Sequence, residues 1–124
     1  MYNGKIAIAS ALTTDAPLIA MIPSVRMFDN IAIFATASVY PYLTYEELYN
    51  TEGQKADNTE IESEVTFRIH LWGTASLSAA AGHVNRIMQG LEYSRNYSRD
   101  LDELLETGTV IKHKVMSFSG NFTA

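Results

Sequence analysis

The longest alternation of apolar and polar residues in the chain spans residues 56–73. The apolar residues fall on one parity, at Ile61, Val65, Phe67, Ile69 and Leu71. The opposite parity is mostly polar and carries Glu62, Glu64, Thr66, Arg68, His70 and Trp72. Side chains of a β-strand alternate between its two faces. The pattern therefore predicts a central strand whose apolar face is covered by helices.

The polar face of this strand combines acids, bases and a large aromatic ring. A solvated face is one interpretation, because charged side chains mostly lie outside. A contact with another subunit or partner is the other, because Arg and Trp are enriched where proteins meet. The hypothesis of a subunit or partner interface names Glu62, Glu64, Arg68, His70 and Trp72, with Asp57 from the stretch before them.

Two short helices are predicted near the start of the chain. Residues 4–12 repeat apolar side chains at helical spacing. Asp15 or Thr14 can cap a second helix. Pro17 lies in its first turn, where the missing N–H of proline costs nothing. Pro23 then ends this second helix.

Strand signals follow these helices. Residues 25–28 are a candidate short strand, whereas the almost uncharged stretch 29–38 has no assignable period. Residues 39–48 form a longer candidate strand. Pro41 must lie at its start or on an edge of the sheet, because proline cannot donate a ladder hydrogen bond.

A polar stretch separates this strand from the central one. Residues 50–59 contain a glycine and little apolar surface, which predicts a mobile connection between two antiparallel strands. The connection is longer than a tight hairpin turn, and long loops are often functional. The residues expected to be mobile are Glu52, Gly53, Gln54 and Lys55.

A helix is predicted directly after the central strand. Thr74 or Ser76 caps it, and it runs to Gln89 with Gly90 just beyond its end. Its apolar face carries Leu77, Ala80, Ala81, Val84 and Met88. This spacing predicts a helix that packs closely on a sheet.

The remaining stretch alternates strand and turn signals. Residues 91–97 are a strand candidate, and Ser98 caps an acidic helical turn after it. Residues 109–118 return as a strand. Its alternation slips after Val115, as a β-bulge would cause. Residues 119–124 look like a tail.

The order of elements sets the fold class. Helix, strand, strand, helix, strand and strand follow one another with local antiparallel connections. This order predicts an α+β fold: a small, mainly antiparallel β-sheet with helices packed on one face. The length of 124 residues predicts one domain over residues 1–124.

Composition narrows the functional classes. Hydrophobic residues make up 47% of the chain, which indicates a globular protein. The net charge of -5 argues against a surface that coats nucleic acid. The chain has no cysteine, which excludes disulfides and sulfur-based metal sites and fits synthesis in the cytosol. No stretch approaches the roughly 18 apolar residues of a membrane span, so no membrane partner is expected.

The sequence shows no recognisable spacing of catalytic or metal-binding residues. His70, His83 and His113 fall on three different predicted elements, without the spacing of metal ligands. Glu62 and Glu64 point the same way and could pair as in a glycosidase, although like charges on a solvated face are commoner. We therefore expect no enzymatic activity, no metal and no cofactor.

Five stretches, taken in order, resemble one protein family. They read YPYLTYEEL, ADNTEIESEVTFRIHLWG, HVNRIMQGL, EYSRNYSRDL and IKHKVMSFSGNF. This series resembles the tail completion, or tail-to-head joining, proteins of long-tailed phages and prophages of Gram-positive bacteria. The resemblance covers residues 40–122, and the acidic stretch 100–106 looks longer than is usual in that family. These motifs build the fold and include no catalytic set.

The resemblance implies a non-enzymatic virion protein. Proteins of this kind are tail terminators: a hexameric ring caps the tail tube protein and receives the head–tail connector, an adaptor or stopper. Genomic DNA passes through the lumen of the ring without specific binding, and an acidic chain suits that passage. The implied location is the head-proximal end of the tail, after synthesis in the host cytoplasm.

Two other classes of function stay open on the residues alone. One is a small ligand-binding α+β domain with a tyrosine-lined pocket, since Tyr40, Tyr42, Tyr45 and Tyr49 give one strand aromatic surface on both faces. The other is a small hydrolase that uses Glu62 or Glu64 with His70. A mass measurement separates a ring from both.

Overall fold

The computed structural model of the chain describes residues 3–29, 40–56 and 59–123, with the backbone alone for 52–56 and 59–61. Its helices are α1 (Lys5–Thr14), α2 (Ala16–Met21) and α3 (Ser78–Gly90), and a 3₁₀ turn spans Ser24–Arg26. Its strands are β1 (Met27–Asp29), β2 (Tyr42–Ala56), β3 (Thr59–Gly73), β4 (Ser94–Asp100), β5 (Glu103–Leu104) and β6 (Val110–Thr123). The untyped stretch of the sequence falls mostly on residues 30–39, outside the described part.

The strands form a mostly antiparallel sheet in the order β1-β2-β3-β6-β4, and β5 pairs with the start of β6. β1 runs parallel to β2, from the pair Met27↔Leu43 to the pair Asp29↔Tyr45. β3 is central, with β2 on one side and β6 on the other. The helices pack on one face of the sheet, so the predicted α+β class is confirmed.

The alternation predicted for β3 is confirmed in its described side chains. The fully buried residues on the helix side are Ser63, Val65, Phe67, Ile69 and Leu71. The side chain of Ile61 lies outside the described part. The predicted apolar face of α3 supplies the opposing layer, with Leu77, Ala80, Ala81, Val84 and Met88 all buried. Each large side chain buried in this way stabilises the fold by about 1.5–3 kcal/mol.

Asp15 joins the N-terminal helices to α3. Its carboxylate accepts a hydrogen bond from the backbone N–H of Leu18 at 3.1 Å, which caps α2 as predicted. The same oxygen lies 2.8 Å from the guanidinium of Arg86 on α3. The hydrogen bond from Arg86 lowers the pKa of Asp15. Thr14, the other predicted cap, instead donates its hydroxyl to the carbonyl of Ser10 within α1.

The prediction of a loop over residues 50–59 is wrong for most of that stretch. β2 and β3 continue through it, and their ladder closes at the pair Ala56↔Thr59. Gly53, which signalled a turn, is instead skipped by the ladder as an irregularity of the strand. The polar composition therefore indicated a loop where the backbone continues as two paired strands. Asp57 lies outside the described residues.

The end predicted for α3 and the acidic turn after it are also wrong. Gly90 falls inside α3, and the residue with left-handed backbone is Glu92, with a φ of 69°. In place of a helical turn after Ser98, β4 runs on to Asp100 and β5 pairs with β6. Pairing with a distant strand here overrides the local helical preference of the acidic residues.

β6 differs from its prediction in length and in regularity. The tail predicted over residues 119–124 belongs to the strand as far as Thr123. No bulge interrupts its pairing with β3, and the shift in register lies on β4 at Asn96. The alternation of apolar and polar residues along β6 breaks at Val115 and Met116 because both side chains are buried, one on each face of the sheet.

Candidate functional site

Aromatic rings from three neighbouring strands stack on the sheet face turned away from the helices. The ladder pairs Tyr42↔Trp72 and Trp72↔His113 align one ring from each strand. Ring centroids lie 4.6 Å apart for Tyr42 and Trp72, and 4.4 Å apart for Trp72 and His113. Tyr40 extends the stack beyond Tyr42 at 5.5 Å, and His70 stacks on Trp72 at 5.1 Å. We call Tyr40, Tyr42, His70, Trp72 and His113 the ring row.

A chain of hydrogen bonds fixes the two histidines of the ring row. Nε2 of His70 lies 3.3 Å from the Glu46 carboxylate, and Nδ1 of His70 lies 2.9 Å from Nε2 of His113. A carboxylate only accepts, so Nε2 of His70 carries its proton and Nδ1 is left to accept. Nε2 of His113 is therefore the donor to His70. The geometry assigns one tautomer to each ring.

Tyr42, His70 and His113 of the ring row are uncharged at neutral pH. Burial lowers the pKa of His70, and it outweighs the hydrogen bond to Glu46, which acts in the opposite direction. Burial also lowers the pKa of His113, with a further contribution from His70. Burial raises the pKa of Tyr42 to about 12, and Tyr40 adds to the effect. Neutral rings stack without mutual repulsion, so the row is stable near pH 7.

Polar side chains continue the same face beyond the ring row. Arg68 lies 3.8 Å from the carboxylate of Glu46, which also holds His70. Further along, the hydroxyls of Thr66 and Ser119 are 2.7 Å apart, and Asn96 donates to Ser119 at 2.7 Å. The face therefore grades from aromatic at one end to hydroxyl and amide at the other.

The predicted interface residues do not all come together. His70, Trp72 and Arg68 lie side by side, whereas Glu62 and Glu64 precede His70 on β3 by eight and six residues. At the rise of a strand these separations are about 26 and 20 Å. The hydrolase set of one glutamate with His70 is therefore not assembled.

Sequence reasoning missed the partners that complete the ring row. Glu46, Tyr42 and His113 come from strands on either side of β3, and only the register of the sheet brings them together. The sequence did contain one signal: the alternation of apolar and polar residues along each strand places Tyr42 and His113 on the face turned away from the helices. Alternation does not say which residues of two strands stand opposite each other.

The tyrosines of β2 do not converge on a common pocket. Tyr45 is buried in the core on the helix side, and Tyr42 belongs to the opposite face. Tyr49 is 62% exposed. Within the described residues, no cluster of three or more histidine, aspartate or glutamate side chains could hold a metal ion. In the same part of the chain, no helix is both long and apolar enough to cross a membrane.

Comparison with known proteins adds evidence at the level of the fold. No family model matches the chain, and no curated protein matches it. Among solved structures, the chain is similar to a component of a structure described as the virion of a native gene transfer agent (GTA) particle. The match covers 94% of this chain and 92% of that chain, with a TM-score of 0.56 and 14% identity. The fold described above is therefore shared with a chain found in a virion particle.

Proposed function

We propose that this protein is a structural component of a virion. In this proposal it is a single tail-terminator-like domain that forms a ring, ends the tail tube and joins it to the head connector. The observation that carries the proposal is the likeness of fold, over nearly the whole chain, to a chain of a GTA virion particle. The motifs between residues 40 and 122, which resemble tail completion proteins, support the finer role.

The proposed ring contains six copies and meets the tail tube protein on one side and an adaptor or stopper on the other. Genomic DNA passes through its lumen. A net charge of -5 per chain favours passage over retention, because DNA phosphates are repelled by carboxylates. The protein acts at the head-proximal end of the tail, after synthesis in the host cytoplasm, and catalyses no reaction.

The ring row and Arg68 supply a prearranged surface for a neighbouring subunit. The stack between Tyr42 and His113 holds Trp72, and the carboxylate of Glu46 lies beside Arg68. A side chain that is already fixed loses less conformational entropy when it binds. Trp and Arg are also the residues that most often dominate binding energy at interfaces. This face therefore suits a permanent contact between subunits.

Deletion of the gene tests the proposed function directly. The expected lysate contains full heads and separate tails of uncontrolled length under the electron microscope. Supplying the protein from a plasmid should restore joined particles. Infectious particles of normal tail length from the deletion would refute the role as a tail terminator. Native mass measurement of the purified protein tests the ring, for which a mass of about six chains is expected.

A double variant tests the contribution of the ring row. Arg68→Ala with Trp72→Ala should leave a folded subunit, checked by circular dichroism, but prevent ring closure. Truncating one partner of a buried contact at an interface typically costs about 2–5 kcal/mol. Arg95→Ala serves as the control, because Arg95 is exposed on β4 and pairs with Phe118, which places it in register with the helix-side face. Normal rings from the first variant would remove this face from the interface.

A further inference from the structure

A short hairpin projects from the sheet with apolar side chains that the subunit does not cover. It comprises residues 101–111, with β5 on one side and the start of β6 on the other, and we call it the leucine hairpin. Its exposed apolar residues are Leu101 (41%), Leu104 (71%), Leu105 (38%) and Val110 (40%). β3 ends opposite Lys112, so the hairpin has no ladder partner in the central strand.

The base of the leucine hairpin is firmly held. Asp102 accepts a hydrogen bond from the backbone N–H of His113 at 3.2 Å, and its other oxygen lies 3.6 Å from the ammonium of Lys112. The backbone N–H of Leu101 donates to the carbonyl of His113 at 2.7 Å. At the tip, Gly108 adopts a left-handed φ of 86° that closes the turn. The hairpin is therefore a fixed projection whose two arms carry exposed apolar side chains.

An uncharged apolar groove lies at the same end of the sheet. It has a volume of about 310 Å³ and lies between the end of α2 and the β3–α3 turn. Met21 and Pro41 line one part of it, and Ala75 and Ala79 line another. Gly73 also lines the groove. None of its lining residues carries a charge, so it suits an apolar side chain.

The base of the hairpin lies beside the groove at the same end of the subunit. Gly73 in the groove stands opposite Lys112 in the ladder. Ser76 and Leu77 line both the groove and a cavity that Asp102 and Lys112 share. The hairpin and the groove are different surfaces, so a contact between the hairpin of one copy and the groove of another is heterologous, and heterologous contacts generate rings when the rotation closes.

Charge around the two features is complementary. The hairpin carries the exposed acids Glu103 and Glu106 beside its leucines and no basic residue between Leu101 and Ile111. At the edge of the groove, the guanidinium of Arg26 donates to the carbonyl of Tyr40 at 3.0 Å, next to Pro41 in the lining. A hairpin that entered the groove of another copy would bring acids towards this cation.

We propose that the leucine hairpin of one copy binds in the apolar groove of a second copy, with Glu103 and Glu106 facing Arg26. This contact deepens the proposed ring and rests on it. Leu104 supplies the side chain that enters the groove, since it is the most exposed of the hairpin leucines. Burial of one leucine stabilises association enough that Leu104→Ser should lower the association constant roughly ten- to hundredfold.

Cysteine cross-linking tests the contact, because the natural chain has no cysteine. A Leu104→Cys protein is mixed with a mass-tagged Ala79→Cys protein under mild oxidation. The expected product is a covalent pair of one tagged and one untagged chain. The control replaces Leu104→Cys by Ile6→Cys, since Ile6 is exposed to a matching 73% but lies on α1. The control mixture should give no such pair.

Association measurements separate this contact from the ring itself. Leu104→Ser should weaken self-association by at least tenfold in analytical ultracentrifugation, whereas Ile6→Ser should not. Rings that form normally without the mixed cross-link would overturn the contact and leave the proposed function standing. A purified protein that stays monomeric at its highest soluble concentration would also overturn the contact. Intact particles after gene deletion would instead refute the proposed function.

Discussion

Phe67 is the residue whose truncation best tests the central role of β3. It is fully buried, faces the helices and packs edge to face against Tyr93 with ring centroids 5.9 Å apart. Phe67→Ala removes the ring and leaves a cavity that the surrounding side chains fill only in part, at a cost of about 3–5 kcal/mol. Loss of the aromatic contact accounts for about 0.5–1.5 kcal/mol of that figure.

The matched control is the next residue on the same strand. Arg68 points to the opposite face, and its contact with Glu46 joins two side chains that are 35% and 28% exposed. Pairs of this kind contribute about 0–1 kcal/mol, so Arg68→Ala should change the free energy of unfolding little. Urea denaturation followed by circular dichroism measures both. Equal losses for the two variants would refute the assignment of faces on β3.

Three further predictions follow from the structure. Because the pKa values of His70 and His113 are lowered from the ordinary 6.5, the unfolded chain binds protons first as the pH falls. The urea concentration at the unfolding midpoint should therefore decrease as the pH falls below 6.5. A double variant with Gln in place of both histidines should show much less of this decrease. Asp15→Ala should cost about 0.5–2 kcal/mol by removing the cap of α2, whereas Asp15→Asn keeps an accepting oxygen and should cost less in a thermal melt. Two register shifts interrupt the β2–β3 ladder at residues 52–55, so amide hydrogens there should exchange faster in the free subunit than those of the regular pairs from Tyr42 to Glu47, and a ladder end that meets a neighbour should exchange more slowly in assembled tails; equal protection in the free subunit and in tails would contradict a contact at this end.

Much of the fold could be predicted because its signals are local. The alternation from Val65 to Leu71 identified the buried face of β3. The helical spacing from Leu77 to Met88 identified the face of α3 that packs on it. Asp15 and Pro17 marked the start of α2 within one residue. These patterns depend on residues close in sequence, which is why they can be recognised without knowing the partner strand.

The errors concern features that depend on distant pairing. Residues 103–104 look helical by composition, yet they pair with the start of β6. Residues 119–123 look like a tail, yet they complete the ladder with β3. The ring row depends on the register of three strands, so His113 could not be placed beside Trp72 from either segment alone. Propensity is a weak guide where long-range contacts decide the structure.

The position of β6 has a consequence for the order in which the chain folds. β6 is the last strand in sequence, yet it lies inside the sheet between β3 and β4. During synthesis, β2 and β3 can form their hairpin early, but β4 has to wait for residues 110–123 before it gains a hydrogen-bonded neighbour. A chain truncated before Val110 would leave the edge of β3 open to pairing with other chains. Completion of the C-terminal segment therefore commits the subunit to its native sheet instead of to aggregation.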